Sequence, residues 1–541
     1  MNEFERVCKN ENEILQALCT IFKESESGGK NLRKSSKCTE NLLILSIFCK
    51  TSCEKATDVV HLEKMSRMKR GRTMNLVTIM NFVRGVEPRN PNLDLLEPVV
   101  NQIALNKEYG FDNTFLLQYD ALIDPKFRKV FLSERDEHME LGIWFEVVQP
   151  LVEKVGIKWR GRPGYAWDWY VDPGFLPAYT HDEKIAMIDE FMREFRETFG
   201  EYPKSVGSWL LDIDSVRYMS EKYKIEFFGI CREQLAVDAY TLWGGPYNQP
   251  YYPSIHNILC PAQNQDNQVN TPVFRLLGIE PIRGYNEKRY AKDPECYGCA
   301  TMEPFWKYGQ NKEYMEWFFK TYFDNENLGL AYTQIGQENS FGWKGMKDGL
   351  TLQLSLVKRY ADEGKIAVVT TSEAGRRFAA ANKLTPPAAL CADTDPVGNN
   401  NYKSFWYTAK NYRANVFFEG ETLYFRDIQK FDERYTERYL DEPCSKWDAV
   451  YDDLPVVDER VWSLEKDSHD AALDFDGKFV FESVEREEKA LVVKARSQDG
   501  KQVLIRMDEQ NITVSGDVKL AWRFGKFTDY TAEKDGVGFV H

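Results

Sequence analysis

Histidine is scarce. The chain has six in 541 residues. The three between 74 and 385, His138, His181 and His256, form no H-x-H or H-x-x-x-H pair. A metal centre built on paired imidazoles is therefore not expected, and no metal or other cofactor is expected. No predicted strand leads into a G-x-G-x-x-G turn, and P-loop and G-x-S-x-G motifs are absent. Dinucleotide, nucleotide and serine-hydrolase chemistry find no support. Excess positive charge is lacking too. The net charge of −14 argues against nucleic acid or an anionic membrane as partner. The longest early apolar run, "NLLILSIFC" at 41–49, falls far short of the ~20 residues a span needs. It begins forty residues in and lacks a cleavage pattern, so it does not read as a signal peptide. Among eleven cysteines the one C-x-x-C pair, Cys296 and Cys299, has no second pair at zinc spacing. Sparse, scattered thiols suit a reducing cytoplasm, which is the expected location.

Aromatic residues are plentiful, at 14%. Core packing accounts for many, but rings also stack on flat apolar ligand faces. Residues 1–73 carry a net charge of +4 and the remainder −18. The first segment reads as an N-terminal extension, disordered or not native, with Met74 as a natural start. A small helical appendage built on "ENEILQALCTIFKE" is the alternative. From 74 to 385, short apolar runs predict strands at 75–83, 114–119, 141–148, 205–211, 226–231, 273–279, 329–335 and 366–371. Such unalternating runs suit parallel strands buried on both faces. Helices are expected at 181–199, 311–323 and 346–363. Thr180 with Glu183 makes a capping box for the first, and Gly200 ends it. The fold expected is an α/β (β/α)7-8 barrel, with an open doubly wound sheet as the alternative. After "LTPPAALCADTDPVGNNN", alternating strands with tight turns predict an antiparallel β-sandwich-like domain over 386–541.

A barrel places its reactive groups where strands end. Candidates there are Arg84 and Glu87 after strand one, Gln118 and Asp120 after strand two, and Trp144 and Glu146 at strand three. Trp209, Asp212 and Asp214 follow strand four, and Gln234 and Asp238 follow strand five. Gln337 and Glu338 end strand seven, and Glu373 ends strand eight. Asp214 and Glu373 are expected to cap helices. Glu338 has no helix directly behind it to cap. The stretch "YTLWGGPYNQPYYPSIHN" at 240–257 carries five rings on a Pro- and Gly-rich loop. Trp243, Tyr247, Asn248 and Tyr251 would then rim the same mouth. Rings, amides and acids around one opening suit a sugar, and two carboxylates can cleave a glycosidic bond. Packing of long loops onto the barrel would use the same rings.

"NFVRGVEPR", "TFLLQYDAL", "ELGIWFEVVQPLVEKVG", "YPKSVGSWLLDIDSV" and "DAYTLWGGPYNQPYYPS" resemble a bacterial family of unassigned function. That family joins a glycoside hydrolase/deacetylase-type barrel to a C-terminal β domain. The resemblance covers roughly 74–465. Polysaccharide deacetylases of this superfamily carry metal-binding histidines where Trp144 and Val148 stand here. Its metal-free retaining amylases take one carboxylate from strand four and one from strand seven, which implies Asp212 and Glu338. The resemblance thus implies a metal-independent glycoside hydrolase acting on a carbohydrate. Glu338 would be acid/base, and Asp212 or Asp120 the nucleophile. Glu146, Trp144, Trp209, Gln234, Asp238, Trp243, Tyr247, Asn248, Tyr251 and Gln337 would contact the sugar. The alternatives are a metal-dependent deacetylase with an atypical site and a non-catalytic glycan-binding protein.

Overall fold

The structure, a computed structural model, describes residues 75–237, 240–242, 244–285, 301–325, 327–397, 401–449, 452–458, 472–523, 531–533 and 536–538. All lie in the unit Thr73–His541. The reading of 1–73 and the Cys296–Cys299 pair fall outside the described residues.

Eight strands form where the apolar runs predict them. They are β1 (Asn75–Val83), β2 (Asn113–Leu117), β3 (Met139–Trp144), β4 (Ser205–Gly207), β5 (Phe227–Cys231), β6 (Val273–Leu276), β7 (Tyr332–Ile335) and β8 (Ile366–Val369). All pair in parallel, in the order β6-β5-β4-β3-β2-β1-β7. The sheet curls until its two edges nearly meet. Gln334 of β7 accepts a hydrogen bond from the Leu277 N–H just past β6, at 2.9 Å. Phe274 and Tyr332 pack edge to face across the same gap. The barrel is thus nearly closed, with helices outside. The main ones are α1 (Leu96–Tyr109), α2 (His181–Phe199), α3 (Ile213–Tyr223), α4 (Lys312–Phe323), α5 (Trp343–Asp362) and α6 (Thr371–Ala381). Helix α2 starts on the Thr180–Glu183 capping box and ends at Gly200, whose φ of 84° only glycine adopts without strain. Among the described residues no helix is long and apolar enough to cross a membrane.

The eighth strand departs from expectation. Strand β8 does not close the gap between β6 and β7 but pairs with the first residues of β1, Asn75–Thr78. Its end therefore lies where β2, β3 and β4 begin. There the Thr371 hydroxyl bonds those of Thr114 (3.2 Å) and Ser205 (2.8 Å), and Glu140 accepts from the Ser372 N–H (3.0 Å) and hydroxyl (2.8 Å). Helix α6 plugs the barrel floor, where Gly375 lets it meet the Glu226 carbonyl. A Cβ there would come within 1.9 Å of that oxygen. Glu373 is consequently at the opposite end from the mouth. Thr370, not Glu373, caps α6, and Glu373 pairs with Arg376 and Arg377.

The C-terminal residues form two antiparallel sheets. The first contains Ala388–Ala392, Lys403–Thr408, Tyr412–Glu419 and Thr422–Lys430. The second contains Phe479–Arg486, Leu491–Ser497, Gln502–Met507 and Asn511–Gly516. They share one apolar core, in which Phe405, Val416, Val493 and Ile505 are fully buried. The other face of the first sheet packs on the barrel, through Leu390, Trp406 and Phe417 against residues of α4. This sheet is therefore covered on both sides. That explains why "KSFWYT" and "YRANVFFE" are buried almost throughout.

Candidate active site

Arg84 directly follows β1 and is wholly buried at the mouth. Its backbone is fixed by Asn339, which accepts from the Arg84 N–H (2.9 Å) and donates to the Arg84 carbonyl (2.9 Å). The guanidinium grips Glu146 with two bonds, Nε to Oε2 at 3.0 Å and Nη2 to Oε1 at 2.7 Å. Its Nη1 donates to Glu338 Oε1 at 3.0 Å, with Glu87 at 4.0 Å. Gln118 Nε2 donates to Glu146 at 2.6 Å, and Ser340 bonds Glu338. The indole of Trp167 lies 3.9 Å from the guanidinium carbon. Burial alone would push Arg84 down. The carboxylates of Glu146 and Glu338 more than reverse this and hold it well above its ordinary value.

Asp120 adjoins this cluster. Its Oδ1 accepts from the N–H groups of Gly85 (2.9 Å) and Ala121 (2.7 Å). Gly85 is needed here, because a Cβ would fall 2.9 Å from the Asp120 carboxyl carbon. Burial pushes the Asp120 carboxyl up to about 7, against the two amides, with the Glu146 charge adding to the rise. Among the described residues its Oδ2 meets no hydrogen-bond donor, and Gln118 Oε1, Trp144 Nε1 and Trp167 Nε1 find no partners. Each such atom costs about 1–3 kcal/mol when buried. Four in the acid cluster and the wall beneath it mark a place where stability yields to something else. Beside Gly85 opens a cleft of about 450 Å³, lined by the loop following β1, by Asp124 and Phe127, and by Gly164 and Ala166. That volume suits a small ligand.

The expected acids are thus partly brought together. Asp120, Glu146 and Glu338 surround Arg84. Asp212 does not bond into this group. It caps α3 by accepting from the Ser215 N–H (3.0 Å), and it pairs with buried Lys184 (2.9 Å). Glu437, reaching in from the downstream chain, accepts from Ile213 and Ile258 (2.8 Å each). Burial first, then the Asp212 charge, pushes its carboxyl up to about 8. Asp214, an expected helix cap, instead meets His181 at 2.8 Å. Trp144 stacks on Phe82 (4.0 Å) and meets Trp209 edge to face (5.1 Å), forming the packed wall beneath the mouth. Gln337 ties Glu303 (2.7 Å) to the Phe305 N–H (3.0 Å), a bracing role.

The five-ring loop goes elsewhere than expected. Tyr247 stacks on Trp406 of the first C-terminal sheet at 3.6 Å, and Asn248 is buried beside it in sequence. Tyr251 donates to the Ile258 carbonyl (2.8 Å) and Tyr252 to that of Asn382 (2.9 Å). Tyr247 thus sits in the seam between barrel and sheet, while Tyr251 and Tyr252 pack on the barrel itself, so loop packing accounts for all three. Asp238 and Trp243, and the side chain of Gln234, fall outside the described residues. Sequence reasoning noted Arg84 as a strand-end residue without making it the centre. Nothing in its local pattern shows which three acids it will meet.

The deacetylase type of barrel implies a metal, and the side chains present do not fit one. The carboxylates that could hold a cation are already bridged by the Arg84 guanidinium. Among the described residues no group of three or more His, Cys, Asp or Glu is placed to ligate an ion.

Residues 163–386 match the family model for a domain of unknown function with solved structure, DUF3863. A candidate glycoside hydrolase/deacetylase from Parabacteroides distasonis is 15% identical, with a TM-score of 0.52 over 69% of this chain and 89% of that one. A candidate polysaccharide deacetylase from Mycobacterium smegmatis is 12% identical, with a TM-score of 0.37 over 58% and 93%. No curated protein matches. Residues 163–386 are thus similar to a domain of unknown function, and the fold, a nearly closed barrel continued by C-terminal antiparallel sheets, is similar to that of the Parabacteroides distasonis protein.

Proposed function

We propose that the chain is a carbohydrate-active hydrolase that cleaves a glycosidic bond without a metal, using Asp120 and Glu338. The observation that carries this is the pairing of a buried carboxyl poised near neutrality, with one oxygen unbonded, and an ion-paired set of carboxylates beside it. Two acids with opposed environments are what acid and nucleophile or base require. Asp120 takes the proton-donor role, which reverses the roles expected from sequence, because its environment keeps the proton. Glu338, oriented by Arg84 and Ser340, acts as nucleophile or base. Glu146 holds Arg84 in place. Asp212, committed to Lys184 and the start of α3, supports the wall.

The test is a screen of chromogenic glycosides and polysaccharides with Asp120→Asn and Glu338→Gln. Each substitution is expected to lower kcat by about 100-fold or more. Full activity in either variant sinks the assignment. A non-catalytic glycan-binding role is the second reading, favoured by depth, since Arg84 and Glu146 are fully enclosed. Retention of a glycan with no turnover across the screen would select it. Acetylated xylan assayed with and without a chelator tests the deacetylase alternative.

A further inference from the structure

Trp447 is the most exposed large apolar side chain among the described residues, at 62%. Its position is nonetheless fixed. The Trp447 carbonyl accepts from the Val171 N–H (2.8 Å), that of Lys446 accepts from Asp172 (3.2 Å), and the Cys444 N–H donates to Pro177 (2.8 Å). One face of the indole stacks on Tyr170 at 4.4 Å and 24°. The other face is left to solvent. A rigid backbone carrying an exposed flat ring is a binding surface more than a packing residue.

The ring also begins a continuous stack. Arg162, held bidentate by buried Asp168, lies over Tyr170 (4.7 Å), Trp169 (4.1 Å) and Tyr165 (4.1 Å). Arg89 lies over Trp169 (5.2 Å) and Trp167 (5.1 Å). Trp167 then covers Arg84. Planar groups thus run without a break from the surface to the acid cluster. The same loop supplies Gly164 and Ala166 to the cleft beside Gly85, whose N–H bonds Asp120.

We propose that Trp447 and Tyr170 form an outer platform that stacks a pyranose ring of a neutral polysaccharide, whose neighbouring units occupy the cleft. This rests on the glycan-hydrolase reading for its direction, toward Asp120. The pyranose face offers C–H groups to the indole, and its equatorial hydroxyls remain in water. The chain's acidity disfavours a polyanionic glycan.

Affinity electrophoresis of the full chain through gels containing galactomannan, xylan, glycogen or mixed-linkage β-glucan reads the platform without turnover. We expect retardation by at least one polymer. Trp447→Ala should weaken it about tenfold, Trp447→Phe should restore most of it, and Asp120→Asn should leave it intact. On a cleaved polymer, Trp447→Ala should raise KM without changing kcat on a short chromogenic glycoside. Wild-type protein that no gel retards overturns the platform, as does retardation that Trp447→Ala leaves unchanged. Retardation without cleavage keeps the platform and sinks the hydrolase reading. Cleavage indifferent to Trp447 does the reverse.

Discussion

Two carboxyls, Asp120 and Glu437, give individual residues a measurable signature. An unfolded aspartate ionises near its ordinary 3.8, whereas Asp120 keeps its proton to about 7. For Glu437 the ordinary value is 4.5 and the folded value about 8. Between these limits the folded chain holds more protons than the unfolded one. Its stability therefore falls as pH rises from about 4 to about 8 and levels above. Each group's contribution is on the order of 4 kcal/mol across its window. Urea midpoints should drop between pH 5 and pH 8, and Glu437→Gln should make that slope shallower. A midpoint that rises over the interval contradicts the burial assigned to both groups.

At the scale of elements, α2 and α3 are locked together at their first turns. Lys184 of α2 is 3% exposed and depends on Asp212, the cap of α3. Asp212→Ala removes a cap and leaves a buried ammonium with only the more distant Asp214 carboxylate, at 3.8 Å. It should cost about 3–5 kcal/mol in chemical denaturation. Asp212→Asn should cost less, because an amide oxygen still caps. Equal losses in the two variants would show that the cap carries nothing beyond the charge pair. Elements were also the most legible part of the sequence. Apolar runs located all eight strands, and the Thr180–Glu183 box with Gly200 bounded α2 to the residue. Strand partners were not legible. Nothing in "IAVVTT" shows that it lies beside the start of β1 rather than between β6 and β7, because pairing is a long-range property of the sheet. The rings of 240–257 were visible as a cluster, but a ring at a mouth and a ring in a seam have the same local sequence. The acids of the site were findable as strand-end residues. Their grouping around Arg84 was not, since it brings together positions 84, 146 and 338.

At the scale of the whole molecule, barrel and first C-terminal sheet are joined by buried charge. Arg413 of that sheet bonds Asp427 through Nε (2.9 Å) and Nη2 (3.0 Å), Glu233 after β5 (2.6 Å) and the Gly245 carbonyl (2.7 Å). All three side chains are enclosed. Arg413→Ala would strand two carboxylates in the seam and should cost about 3–5 kcal/mol. Calorimetry should show barrel and sheet unfolding in one transition in the parent chain. Two separated transitions there would mean the seam does not couple them.

The segment carrying Glu437 and Trp447 gives the molecule an order of events in time. Glu437 braces the first turn of α3 and Trp447 flanks the 165–170 loop, yet both are encoded after the first four strands of the first C-terminal sheet, between Thr422–Lys430 and Leu454–Asp458. During synthesis on the ribosome, some 360 residues beyond the end of β1 must emerge before the barrel's doorway is complete. A nascent barrel, however well its strands have paired, has no finished threshold, and any ligand it will hold must wait for the downstream chain to fold back across it.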